Sequence, residues 1–215
     1  MKLAILGTGK MGGMVGKRLA KSGYKIVFGS REPLLNTKKF SGYENITVTS
    51  YREACQQCDV AVVATPWTHT LPLLESHKED LAGKIVVDMT NPLSADISHL
   101  TAPAMSSSAE LIAGALKGSM IVKAFNGITA DNFSIPDFSG EPAQVFFCGE
   151  HVEAKGVAKE LIEACGYQAE DCGALSNSRY LEAMAMLWLQ LAFWEDKGSD
   201  FSFRIVQKDK PSLQT

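Results

Sequence analysis

Three glycines near the N-terminus carry the first readable chemistry. Gly7, Gly9 and Gly12 stand at Gly-x-Gly-x-x-Gly spacing, with the apolar run Leu3, Ala4, Ile5 and Leu6 before them and a helix-forming segment after. In that context the motif is a phosphate-binding turn. Gly7 permits the tight turn, Gly9 lets backbone N–H groups approach a pyrophosphate, and Gly12 lets the helix pack closely on the sheet. The dipole of the following helix adds partial positive charge. Thr8, Lys10 and Met11, interleaved with the glycines, are the other cofactor-contact candidates of this turn. Gly13 and Gly16 fall inside the helix, where glycine costs roughly 1 kcal/mol relative to alanine. Their presence predicts that another group approaches the backbone closely there.

The second informative position ends the next strand. An Asp or Glu about 20 residues after the first glycine takes a ribose 2′-hydroxyl, whereas an Arg nearby accommodates a 2′-phosphate. At that distance the chain reads Gly29-Ser30-Arg31, with no acid. Ser30 offers a hydroxyl donor and Arg31 a bidentate fork, a charge-assisted contact contributing about 1.5–3 kcal/mol. The expected cofactor is therefore NADP(H) rather than NAD. Lys38 and Lys39 either supplement this charge or are solvated surface lysines.

Further candidates sit at the carboxyl ends of later strands, where ligands bind in open parallel sheets. Ala64, Thr65 and Pro66 end one strand. Trp67 follows, as a wall for the nicotinamide or as a packed core residue, and His69 is a candidate proton donor with no orienting partner in view. Asn91, before Pro92, either offers an amide to the cofactor's carboxamide or ribose or simply marks a turn. Ala124 and Asn126 end a third strand. Three strand ends with small or amide residues point to one shared cleft.

The elements that must position these residues alternate. Strands are expected at 25–28, 46–48, 59–65, 84–88, 120–124, 144–148 and 167–172, with helices over 11–22, 50–58, 71–81, 109–116 and 151–164. Residues 94–108 read as an irregular loop, either a lid over the site or a mobile segment, and 131–142 as a loop. The pattern is α/β: a doubly wound, mostly parallel sheet, the Rossmann fold, with a C-terminal apolar helix over about 179–194. One NADP-binding domain over 1–206 is expected, with a peripheral polar tail over 207–215. Leu181, Met184, Leu187, Trp188, Leu189, Leu191, Phe193 and Trp194 cover nearly the whole circumference of the last helix, which predicts burial and pairing of two chains as a homodimer.

Composition narrows the function class. The 215 residues are 46% hydrophobic with a formal net charge of -3. That balance gives no electrostatic footprint for nucleic acid or an anionic membrane. No apolar run reaches the ~18 residues of a membrane span, and a cytoplasmic protein is expected. The odd number of cysteines fits reduced thiols. Cys55 and Cys58 lack a second ligand pair and read as structural, so no metal site is expected.

With these residues in place, the chain resembles the NADPH-dependent 8-hydroxy-5-deazaflavin coenzyme:NADP oxidoreductases. It is also similar to the cytosolic domain of the six-transmembrane epithelial antigen of prostate metalloreductases. Residues 7–12, 29–31, 88–92, 122–126 and 173–182 carry the likeness, the Lys-Ala-Phe-Asn segment at 123–126 most specifically. The resemblance implies that Thr8, Ser30, Arg31 and the strand-end segments hold NADP, with a deazaflavin or flavin acceptor against the nicotinamide. Direct hydride transfer between rings requires alignment more than an acid or base. Two other readings stand beside it. One is an imine or ketol-acid type reductase, which usually carries a large helical domain absent here. The other is a non-catalytic NADPH-sensing module.

Overall fold

The computed structural model describes residues 1–133, 137–138 and 140–208. Its strands are β1 (Lys2–Leu6), β2 (Lys25–Ser30), β3 (Ile46–Ser50), β4 (Val60–Val63), β5 (Ile85–Asp88), β6 (Met120–Lys123), β7 (Asp137–Phe138), β8 (Glu141–Pro142), β9 (Gln144–Gly149) and β10 (Gln168–Asp171). Its helices are α1 (Lys10–Lys21), α2 (Pro33–Thr37), α3 (Tyr51–Gln57), α4 (Trp67–Ser76), α5 (Lys78–Leu81), α6 (Ser108–Ala115), α7 (Val152–Ala164) and α8 (Ser178–Leu189). Eight strands form one sheet in the order β10-β9-β6-β5-β4-β1-β2-β3. All its pairs are parallel except β6 with β9. The expected doubly wound, mostly parallel sheet is thus present, with its order reversing at β1.

Alternation along the central strands builds a core on each face. Leu3, Ile5, Val60, Val62 and Val87 pack with Val15 and Leu19 of α1 and Leu161 and Ile162 of α7. Ala4, Leu6, Ala61, Val63 and Val86 pack on the other side with Ala54 of α3, Leu74 of α4 and Ile112 of α6. Side chains of a strand alternate between faces, so a strand covered on both must be apolar throughout. Ser50 caps α3: its Oγ accepts from the Glu53 N–H at 3.3 Å, while a Glu53 carboxylate oxygen accepts from the Ser50 N–H at 3.1 Å. This reciprocal pair is a capping box.

Some expectations are corrected. The helix expected over 71–81 starts at Trp67, with Pro66 at its N-cap, and breaks after Ser76 before α5. Pro72 lies inside α4. The loop expected over 131–142 opens with a 3₁₀ turn, Asp131–Phe133, and carries the β7–β8 hairpin. The last helix is not buried all round. Leu181, Ala185 and Trp188 face the core, but Leu187 is 51% exposed, and Phe193 (61%) and Trp194 (48%) stand out from the π-helical turn Gln190–Trp194. One side of a terminal helix meets the sheet, and the density of apolar residues does not reveal which. Of the expected peripheral tail, Gln207 and Lys208 are exposed and 209–215 lie outside the described residues. No helix among the described residues is long and apolar enough to cross a membrane.

Candidate functional site

The sheet register brings the carboxyl ends of the central strands level: Leu6 pairs with Gly29 and Val63, Val63 with Asp88, and Asp88 with Lys123. The glycine turn leaves β1 at this edge. Gly7 has φ +121°, its N–H donates to the Gly29 carbonyl at 3.1 Å, and a Cβ there would lie 2.6 Å from the Ala64 carbonyl oxygen. Only glycine fits. A Cβ on Gly12 would stand 2.4 Å from the Gly7 carbonyl oxygen and 3.1 Å from the Ala64 side chain. A Cβ on Gly9, the N-cap of α1, would instead meet nothing within 4 Å. No side chain caps α1 and no acid stands in its first turn. The N-terminus of α1, with its dipole and open space in front of it, forms an anion cradle. Gly16 is approached closely as expected, since a Cβ there would lie 2.3 Å from the Phe28 ring, but Gly13 is not: a Cβ there would meet only the Phe40 ring, at 4.0 Å.

On the β2 side, Ser30 is buried, and its Oγ accepts from Asn36 Nδ2 at 2.9 Å and from the Glu32 N–H at 3.1 Å. Both acceptor positions are occupied, which leaves the hydroxyl proton to donate elsewhere. Arg31 lines a cavity of about 210 Å³ with Tyr51, Thr65, Pro66, His69 and Leu73. His69 therefore belongs to this end of the edge and not to the cleft where a proton donor would act. Trp67 is half-buried against the core formed by α3, α4 and α6. Thr8, Gly9 and Lys10 border a separate cavity of about 460 Å³.

On the β6 side lies a cleft of about 600 Å³. Lys10 and Met11 reach it from the glycine turn, Met89, Asn91, Leu93 and Ile97 from the segment after β5, and residues 125–130 from the segment after β6. Its opposite wall, which sequence reasoning left open, is Ala185, Trp188 and Leu189 of α8 with Phe193 beyond. Phe125 holds φ +62° while 1% exposed, a left-handed conformation uncommon for an aromatic residue that turns the chain along the cleft. Asn126 Nδ2 donates to the Leu181 carbonyl at 2.8 Å, and Asn91 Nδ2 to the Asn126 carbonyl at 3.0 Å. These amides tie the two strand ends to α8. Ala124 is buried in the core and is not among the cleft-lining residues.

Below the cleft lies a polar cluster that sequence reasoning missed. Lys123 is 0% exposed, with Nζ 2.9 Å from both Asp88 Oδ2 and Glu182 Oε1. It also donates to the Ser108 hydroxyl at 2.7 Å and to the Thr90 carbonyl. Glu182 accepts from the Ser108 N–H at 2.9 Å, at the N-terminus of α6. Burial pulls the Lys123 ammonium down, but Asp88 and Glu182 outweigh it and hold the group above the usual lysine range. One cation thus fastens β5, β6, α6 and α8 together. A lysine ending the apolar run 120–124, level with an acid ending 84–88, was the available signal.

Comparison with known proteins follows this geometry. A family model described as NADP oxidoreductase, coenzyme F420-dependent, matches residues 2–92. The F420-dependent NADP reductase of Methanocaldococcus jannaschii is 34% identical over 217 residues, covering 93% of this chain and 96% of that protein. Metalloreductase STEAP3 of Rattus norvegicus is 33% identical over 186 residues, covering 86% of this chain; the chain spans 36% of that longer protein. A crystal structure from Arthrobacter sp. FB24, whose assignment as an F420-dependent NADP reductase is itself provisional, superposes with a TM-score of 0.88 at 25% identity, over 96% of this chain and 100% of that one.

Proposed function

Because the chain belongs to the family of coenzyme F420-dependent NADP oxidoreductases, we propose that it transfers a hydride between NADP(H) and a flavin-like or deazaflavin ring seated in the 600 Å³ cleft. The residues fit the cofactor. The open cradle at Gly9 suits the pyrophosphate, with Gly7, Thr8, Lys10, Met11 and Gly12 shaping it and Ala64 behind. Ser30, Arg31, Thr65 and Pro66 attend the adenosine end, and Asn91 and Asn126 shape the nicotinamide end, with Ala124 packed in the core behind them. When bound, the nicotinamide supplies or receives the hydride.

The composition of the cleft carries this reading. Among the described residues that line it, Lys10 is the one ionisable side chain, beside Met89, Phe125, Ile128, Trp188 and Phe193. Such a wall aligns a flat ring and excludes water, which is what hydride transfer between rings requires. Reduction of an imine or ketol acid calls for a placed acid, and the only ionisable side chain among the described lining residues is Lys10, beside the pyrophosphate cradle. A volume of about 600 Å³ beside the cradle also favours an enzyme over a closed sensor. The exposed Leu187, Trp194 and Tyr180 support pairing of two chains through the C-terminal helix. The cytoplasm suits a reduced-thiol reductase.

The test follows NADPH absorbance against deazaflavin coenzyme, FMN, FAD, quinones and chelated ferric iron. Oxidation by the deazaflavin or a flavin is expected. Tight NADPH binding with no acceptor turned over would replace the enzyme by a sensor. Light scattering should give the mass of two chains, reduced to one by Leu187→Asp.

A further inference from the structure

Among the described residues, four that are not glycine hold positive φ: Ile97 (+61°), Met105 (+65°), Phe125 (+62°) and Asp196 (+52°). Two of them, Ile97 and Phe125, line the 600 Å³ cleft, and they reach it from separate segments. Phe125 is buried and belongs to the core. Ile97 has no such reason for its conformation, being 42% exposed and part of neither apolar core. A left-handed position normally takes Gly, Asn or Asp, because the Cβ of other residues crowds the following carbonyl, and a β-branched side chain there is an outlier. The chain around Ile97 enforces it. Leu93 and Leu100 bridge antiparallel, and the Thr101 N–H donates to the Pro92 carbonyl at 2.6 Å. Inside this closed turn, Asp96 Oδ1 accepts from the hydroxyls of Ser94 at 2.6 Å and Ser98 at 2.8 Å, and the Ile97 N–H donates to the Ser94 carbonyl at 2.9 Å. A hydrogen-bonded polar turn thus holds one apolar side chain in the cleft wall.

We infer that Ile97 is a specificity-determining residue for the electron acceptor, held in a strained conformation by its turn so that its side chain packs against a flat heterocyclic ring in the cleft. The inference rests on the acceptor reading above and assigns one residue within it. Strain that no core contact offsets persists where the surrounding structure over-determines it, and such positions cluster at ligand sites. Met105 supplies the control: it shares the positive φ in the same segment, but it is unbranched, 80% exposed and outside the cleft lining.

The test measures melting temperature, NADPH affinity and steady-state kinetics with deazaflavin coenzyme and FMN as acceptors, for the wild type, Ile97→Gly, Ile97→Asn, Ile97→Val and Met105→Gly. Releasing the strain in Ile97→Gly and Ile97→Asn should raise the melting temperature by about 2–4 °C. The same two changes should raise the acceptor KM about tenfold, through loss of an aliphatic contact, and leave NADPH affinity unchanged. Ile97→Val should stay within about twofold of the wild-type KM. Met105→Gly should gain stability with no kinetic change. An unchanged acceptor KM in Ile97→Gly and Ile97→Asn, or an equal rise in Met105→Gly, overturns the role of Ile97 and leaves hydride transfer in the cleft standing. A lower melting temperature in Ile97→Gly overturns it as well, because the side chain then serves the fold, and so does weaker NADPH binding, which assigns the residue to the cofactor. A wild type that turns over neither acceptor removes the acceptor reading and this role together.

Discussion

Gly9, Gly13 and Gly16 lie close together on and before one helix, yet a methyl group added to each has a different consequence. At Gly16 it would enter the Phe28 ring at 2.3 Å and meet Ile5 at 2.8 Å. Gly16→Ala should destabilise the fold by about 1–3 kcal/mol through overpacking. At Gly13 the nearest atom is 4.0 Å away, so Gly13→Ala should stabilise α1 by roughly 0.5–1 kcal/mol. At Gly9 the methyl occupies open space. Gly9→Ala should lower stability by at most about 1 kcal/mol, because alanine is a poorer N-cap, while weakening NADPH by an order of magnitude. Urea unfolding separates the first two, and a tight NADPH complex of Gly9→Ala would contradict the third. Lys123 behaves oppositely, since its removal leaves Asp88 and Glu182 buried and facing each other. Lys123→Met should cost about 3–5 kcal/mol, and adding Glu182→Gln should recover part of it.

At the scale of elements, α8 supplies one wall of the cleft in which the proposed acceptor would lie. Trp188 is fixed from behind: its Nε1–H donates to the Phe201 carbonyl at 3.0 Å, and the two rings stack at 5.1 Å. Phe193 reaches the same cleft from the π-helical turn and is largely exposed, so removing its ring leaves the fold almost intact. Phe193→Ala should raise the acceptor KM about two- to tenfold, the range of one aromatic contact, with NADPH affinity unchanged. A parallel loss of NADPH affinity would show that the residue supports the cofactor. The glycine turn and the central strands were legible because each is specified by residues a few positions apart. The role of α8 was not, because contacts distant in sequence specify it: Ser108 with Glu182, Asn126 with Leu181, Trp188 with the cleft. Likewise, the placement of Arg31 and Lys39 in separate cavities depends on where α1 and α3 bring their own side chains. A sequence reading lists all of these residues in the right order and leaves open which of them face each other.

At the scale of the whole molecule, two apolar layers around one sheet fix how stability depends on pH. Burial pushes the thiols of Cys55, Cys148 and Cys165 up to about 12, and burial with a hydrogen bond to Glu160 pushes the Tyr24 phenol up to about 12. In the unfolded chain these thiols ionise near their ordinary value of about 9. Their folded-state values are raised, so their contribution to stability is complete below pH ~9 and is lost as pH climbs from there toward 12. On the acid side, Arg179 donates to Glu110 and holds that carboxyl below its usual range. That contribution is present above the ordinary carboxylate value of 4.5 and is lost as pH falls. The urea midpoint should therefore be flat from about pH 6 to 9 and fall by about pH 10.5. The same burial governs reactivity, because the thiolate is the nucleophile. At pH 8 a thiol reagent should label the half-exposed Cys172 first and reach Cys55, Cys148 and Cys165 only on unfolding. Prompt labelling of Cys55 in the native protein, or a midpoint that rises beyond pH 9, would place these thiols outside the two cores.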